Sequence, residues 1–143
     1  MSFTTCLLIA MGGAIGTTAR YLISVGTLSL SRDLPLGTIG INILGSFIIG
    51  LFGTLTLAHG RYPLSENARL FVMVGVCGGF TTFSSFSLQT LDLLRSGAML
   101  RAAINVVASV ILCICFVAAG HAIAAHFNGG ASSIAQASIE EDA

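Results

Sequence analysis

The chain has 143 residues, 55% of them hydrophobic and 8% charged, with a formal net charge of zero and a mean hydropathy of +0.94. A soluble domain carries about 25% charged residues, so a water-facing globule is excluded. The balanced charge, with no Lys and six scattered Arg, offers no basic face for nucleic acid.

A bilayer core about 30 Å thick needs about 20 apolar residues in a helix. Four stretches reach that length, at about 3–28, 36–58, 67–94 and 99–127. Short joins at 29–35, 59–66 and 95–98 carry Pro35, Gly60, Pro63 and Gly97, ordinary helix start and stop signals. Such short joins make neighbouring helices antiparallel. The expected organisation is one four-helix transmembrane channel domain over 1–127, followed by a polar, acidic tail over 128–143 that is expected to be disordered.

The first span opens on Met1 to Thr5, which carry no charged side chain, and its apolar run outlasts a signal-peptide core; it reads as a retained span. Gly12 and Gly16 form a small-xxx-small pair, a helix-packing surface. Arg20 is the only charged residue in this run. A charged Arg costs about 2.5–3.5 kcal/mol at mid-helix on insertion scales, and less near an end where it snorkels. Arg20 is therefore either an interfacial anchor beside Tyr21 or a cation that draws anions into a vestibule.

In the second span Thr38, Asn42 and Ser46 are four apart and share a face. Gly45, Gly50 and Gly53 nearby would let another backbone approach. The Asn42 amide offers two donors and an acceptor. It either bonds a neighbouring helix or replaces water around a passing anion.

The third span contains Gly75-Val76-Cys77-Gly78-Gly79-Phe80-Thr81-Thr82-Phe83-Ser84-Ser85-Phe86. Glycine pairs before Thr-Thr, in a run longer than one crossing, predict a break in the helix near Gly78 to Thr81. A break at membrane depth survives only where protein or a cavity covers it, and its free carbonyls and amides serve as ion sites. Phe83 and Phe86, three apart, share a face; they either pack the core or turn positive ring edges toward an anion.

The fourth span repeats the polar pattern with Asn105, Ser109 and Cys113, again four apart. Two stripes on two helices suggest a polar track, although Ser109 has the option of bonding its own helix. The cysteines Cys6, Cys77, Cys113 and Cys115 show no CxxC or Cys/His ligand spacing and read as small buried side chains.

Four helices enclose little space, so a pathway needs a partner chain. Both termini share a side with Arg61 and Arg69, while Arg32, Arg95 and Arg101 lie opposite, with Arg20 near that end. Orientation follows the excess of Lys and Arg facing the cytoplasm. A bias this weak permits insertion both ways and an antiparallel homodimer with its two-fold axis in the membrane plane; the alternative is a single orientation set by the slight excess.

With these residues in place, the chain resembles the small bacterial fluoride channels often called the Fluc or CrcB family. Three motifs carry the likeness: Gly13-x-x-Gly16-x-x-x-Arg20-Tyr21, then Gly37-Thr38-x-x-x-Asn42-x-x-Gly45-Ser46-Phe47, then Gly75-x-x-Gly78-Gly79-x-Thr81-Thr82-Phe83-Ser84-Ser85-Phe86-Ser87. The likeness covers essentially the whole membrane region. It implies an all-α integral membrane protein of the cell inner membrane, a dual-topology antiparallel homodimer with two passive fluoride pathways selective against chloride. It implies pathway roles for Asn42, Phe83 and Phe86, and along the same route for Thr38, Ser85, Gln89, Asn105, Ser109 and, further on, Cys113, with Arg20 in the vestibule. It also implies a structural sodium ion on the dimer axis, held by the Gly78 and Thr81 carbonyls of both subunits. This chain departs from the family pattern at Gln89, where many members have Glu, at Asn105, where they have Tyr, and at Cys113, where a hydroxyl residue is common.

Three other classes fit less well. A small four-span multidrug exporter needs a membrane Glu, and the cores of the first three spans hold no acid; Asp92 sits near the end of the third. A purely structural membrane protein needs no aligned polar stripes. An enzyme needs a nucleophile–base pair, and His59, His121 and His126 merely sit near helix ends.

Overall fold

The computed structural model describes residues 2–129. Of the tail expected over 128–143, residues 130–143 lie outside the described residues. Four helical spans long and apolar enough to cross a membrane cover Phe3–Gly26, Leu36–Leu55, Glu66–Arg95 and Met99–Phe127. There is no strand among the described residues. Three spans are single helices: α1 (Phe3–Gly26), α2 (Leu36–Leu55) and, last in the chain, α6 (Met99–Phe127). The third span is composite. It runs as α3 (Glu66–Leu70), a π-helical segment (Phe71–Cys77), α4 (Gly78–Phe80) and, after an extended step, α5 (Phe83–Arg95).

Large apolar side chains such as Phe3, Leu22, Leu88 and Leu100 stay exposed along the outside of the spans, as helices bathed in hydrocarbon require. Association then depends on close packing of small residues. Gly12 and Gly16 of α1 lie against the backbone of Phe71, Gly75 and Val76, and a Cβ on Gly12 would sit 2.5 Å from the Phe71 carbonyl oxygen. The predicted small-residue surface is thus where α1 meets the third span. α2 crosses α6 in the same way, Gly50 against the Val117 carbonyl and Gly120 against the Phe47 carbonyl. Gly45 and Gly53, expected to admit a backbone, instead admit side chains: the Thr81 methyl and the Met73 Cε.

The joins are tied by hydrogen bonds. Ser65 caps α3 by accepting the Ala68 N–H, and Gly97, at φ 79°, follows α5. There the Ala98 and Gly97 N–H groups donate to the Leu93 and Leu94 carbonyls, a Schellman stop. Arg69 donates from Nη1 to the Gly53 carbonyl and to Thr56 Oγ1, both at 3.0 Å. A cation on the open carbonyls of a helix C-terminus also suits the helix dipole. Asn128 accepts the Arg61 N–H and donates to the Thr54 carbonyl, each at 2.8 Å, so it belongs to the packed end of α6.

Candidate functional site

The extended step in the third span lies at Thr81 (ψ 158°) and Thr82 (φ −153°, ψ 109°). It falls at the end of the predicted interval, because Gly78 and Gly79 remain helical. What holds the step open comes from α2. The Thr82 N–H donates to Asn42 Oδ1 at 2.8 Å, and Asn42 Nδ2 donates back to the Thr82 carbonyl at 3.1 Å. Thr82 Oγ1 then caps α5 by accepting the Ser85 N–H at 3.1 Å, and donates to Ser85 Oγ at 3.0 Å.

This rearrangement leaves the carbonyls of Gly78, Gly79, Phe80 and Thr81 without their usual backbone partners, and that of Gly79 accepts the Thr17 hydroxyl instead, at 3.4 Å. In a continuous helix the N–H of residue i+4 bonds the carbonyl of residue i. The Thr82 N–H owed to Gly78 goes to Asn42, and the Ser85 N–H owed to Thr81 goes to Thr82 Oγ1. Bare carbonyl oxygens suit a hard cation. Among the described residues no group of three His, Cys, Asp or Glu side chains could hold a metal; the Gly78 and Thr81 carbonyls, whose usual N–H donors go to Asn42 and Thr82, are oxygen donors of the kind a hard cation takes.

Two cavities meet at the break. One, of about 440 Å3, is lined by Asn42, Ser46, Thr81, Thr82, Phe83, Phe86, Ser109 and Cys113. The other, of about 400 Å3, is lined by Arg20, Ser24, Thr38, Thr82, Ser85 and Gln89. Thr82 lines both. The Thr38–Asn42–Ser46 stripe therefore runs from one cavity into the other. The Phe83 and Phe86 rings lie 5.2 Å apart, tilted by 47°. Arg20 reaches the polar cavity; among the described residues no hydrogen bond or ion pair engages it, whereas Arg101 pairs with Asp33 at 2.9 Å outside that cavity.

The family model for "CrcB-like protein, Camphor Resistance (CrcB)" matches residues 7–121. The chain belongs to this family. Its relatives include a fluoride-specific ion channel FluC of Methylobacterium radiotolerans, 71% identical over 142 residues with 99% of each chain covered. A FluC of Gluconobacter oxydans is 67% identical over the full length of both chains. Another of Rhodospirillum rubrum is 51% identical over 128 residues, covering 88% of this chain and 98% of that one.

Within this CrcB-family chain the predicted residues divide by place. Asn42, Phe83, Phe86, Ser109 and Cys113 share the larger cavity, and Arg20, Thr38, Ser85 and Gln89 share the other. Asn105 reaches neither. It has no exposed surface, and its Nδ2 donates to Thr90 Oγ1 at 2.8 Å. Ser109 does not bond back to its helix: Ser109 Oγ, like Gln89 Oε1 and Asn105 Oδ1, is buried without a hydrogen-bond partner. Sequence reasoning gave no separate part to Thr82, the residue common to both cavities. The signal for it was the Thr81-Thr82 pair, since a β-branched residue favours extended backbone.

Proposed function

We propose that the chain is the subunit of a passive, fluoride-selective channel of the cell inner membrane, which lets fluoride leave the cell and so relieves its toxicity. The carrying observation is that the Arg20 cavity and the Asn42 cavity share Thr82 as a wall residue, in a chain 71% identical to a protein named a fluoride-specific channel. Fluoride is small and strongly hydrated, so a narrow path must replace water with donors at close range. Arg20, with no carboxylate partner among the described residues, draws the anion into the polar cavity. Hydroxyls of Thr38 and Ser85 and the Gln89 amide accompany it to Thr82. Asn42 Nδ2 spends one hydrogen on Thr82 and has a second to offer. Beyond it, the Phe83 and Phe86 ring edges and the unpaired Ser109 hydroxyl continue the route. The inner donors are neutral, which keeps binding weak enough for exit.

The functional unit in this reading is an antiparallel homodimer with two such pathways. The Gly78 and Thr81 carbonyls of both subunits would hold a sodium ion on its axis, a fixed structural charge that is not transported.

Efflux from liposomes holding purified protein tests the reading. Fluoride and chloride release are read in parallel with ion-selective electrodes. Rapid fluoride release without chloride release is the expected result. Well-folded dimers that release no fluoride would overturn it. Asn42→Asp is expected to abolish fluoride release, because the carboxylate repels the anion; preserved flux would remove Asn42 from the pathway.

A further inference from the structure

The Thr82 N–H is the donor that a continuous helix would give to the Gly78 carbonyl. Thr82 is buried, and a buried N–H must find an acceptor. Asn42 Oδ1 supplies one at 2.8 Å from another span, 40 residues away in sequence. The orientation of the amide is not arbitrary. The Thr82 N–H can only donate and the Thr82 carbonyl can only accept, so Oδ1 faces the first and Nδ2 the second. Without that acceptor, the nearest one in register is the Gly78 carbonyl. The N–H would return to it, α4 would wind on past Thr81, and a carbonyl now bare would be consumed.

We infer that Asn42 is a positioning residue for the carbonyl cation site, in addition to its place on the anion route. Its Oδ1 keeps the Gly78 carbonyl free, and its Nδ2 serves the cavity. The two sites therefore share one side chain. An occupied carbonyl site holds the Thr82 N–H on Asn42, and this fixes the face that Asn42 presents to the pathway. The inference rests on the sodium reading of Gly78 and Thr81 given above.

The test uses purified full-length dimers unfolded by heat in sodium chloride or in N-methylglucamine chloride, with fluoride flux measured alongside. The wild-type chain is expected to melt higher as sodium rises, with a saturating dependence. Asn42→Ala removes the acceptor and is expected to shift that dependence to about 10–100-fold higher sodium, the usual scale for losing a group that orients a metal ligand. Asn42→Asp keeps an acceptor for the Thr82 N–H. Only its donor to the Thr82 carbonyl is lost, so it is expected to keep a saturating sodium response, weakened less than in Asn42→Ala, while losing fluoride flux. Asn42→Ala with an unchanged sodium dependence overturns the inference. If Asn42→Ala does not fold, the Asp variant decides: a folded dimer that no longer responds to sodium overturns it. A wild-type chain indifferent to sodium overturns the sodium reading itself and the inference with it. That outcome is distinct, because it appears before any substitution is made.

Discussion

Asn105 sits on the stripe that Ser109 and Cys113 continue, yet it turns into the protein. Its Nδ2 donates to Thr90 Oγ1, and Thr90 Oγ1 donates to the Phe86 carbonyl at 2.7 Å. It has no exposed surface, so no second chain can reach its unpaired Oδ1. The resemblance places this position on the fluoride route, and the packing holds it buried away from both cavities. The two placements predict different results for Asn105→Leu. Leucine is close in volume and removes the orphan oxygen, while Thr90 keeps its bond to Phe86. Interhelical hydrogen bonds in membranes average about 0.6 kcal/mol, and replacing an imperfectly satisfied buried polar group with an apolar one is nearly neutral or stabilising. Asn105→Leu is thus expected to unfold in detergent at or above the wild-type temperature, with fluoride flux retained. Loss of flux from a stable dimer would return Asn105 to the pathway.

Helix α2 and helix α6 both line the larger cavity, the first with Asn42 and Ser46, the second with Ser109 and Cys113. Their spacing is set where Gly50 meets the Val117 carbonyl and Gly120 meets the Phe47 carbonyl. Backbone cannot swing aside as a side-chain tip can, so Gly50→Ala or Gly120→Ala must push the helices apart. Overpacking of this kind costs about 1–3 kcal/mol, and thermal unfolding should show both variants destabilised. Gly26→Ala, where an added Cβ meets open space, is the control and should leave the melting temperature unchanged. The same glycines show what sequence could and could not carry. Four spans were legible because length and apolarity suffice to define them; the helix stop at Gly97 was legible because a glycine stop is a local signal. The break was legible to within a residue or so, but its cause was not. Gly78 and Gly79 looked like breakers, yet Gly79 allows close approach to α1, where a Cβ would lie 2.7 Å from the Gly13 carbonyl oxygen. The step falls at Thr82 because Asn42, distant in the chain, takes its N–H. The π segment left no mark at all, since shifting to i+5 bonding needs no particular side-chain pattern. Spacing put Asn105 and Ser109 on one face correctly, but not which neighbour covers each turn.

At the scale of the whole molecule, Phe83 lines the larger cavity while remaining 77% exposed. The cavity therefore opens at that ring to the outside of a single chain. In the proposed homodimer, a second copy related by a two-fold axis would cover this outward-facing aromatic wall beside the Gly78 and Thr81 carbonyls. Whether that axis lies in the membrane plane depends on orientation. Arg61 and Arg69 stand on one side and Arg32, Arg95 and Arg101 on the other, with Arg20 near that second end, a bias too weak for the positive-inside rule to decide strongly. Insertion in both directions is the expected result. It can be read with Ser29→Cys, in the first join, after Cys6, Cys77, Cys113 and Cys115 have been replaced. Ser29 is exposed and lies outside both cavities. An impermeant maleimide applied to intact cells should label roughly half of the protein, and the rest only after the membrane is opened. Adding Arg at Tyr62 and Leu64 of the second join should drive one orientation and stop fluoride flux. Co-expression with a chain biased oppositely, by Arg at Ser29 and Leu30, should restore it. Labelling from one side only, or a biased chain that still conducts alone, would mean that the subunits pair in parallel and that the carbonyl pairs of two subunits do not meet across an in-plane axis.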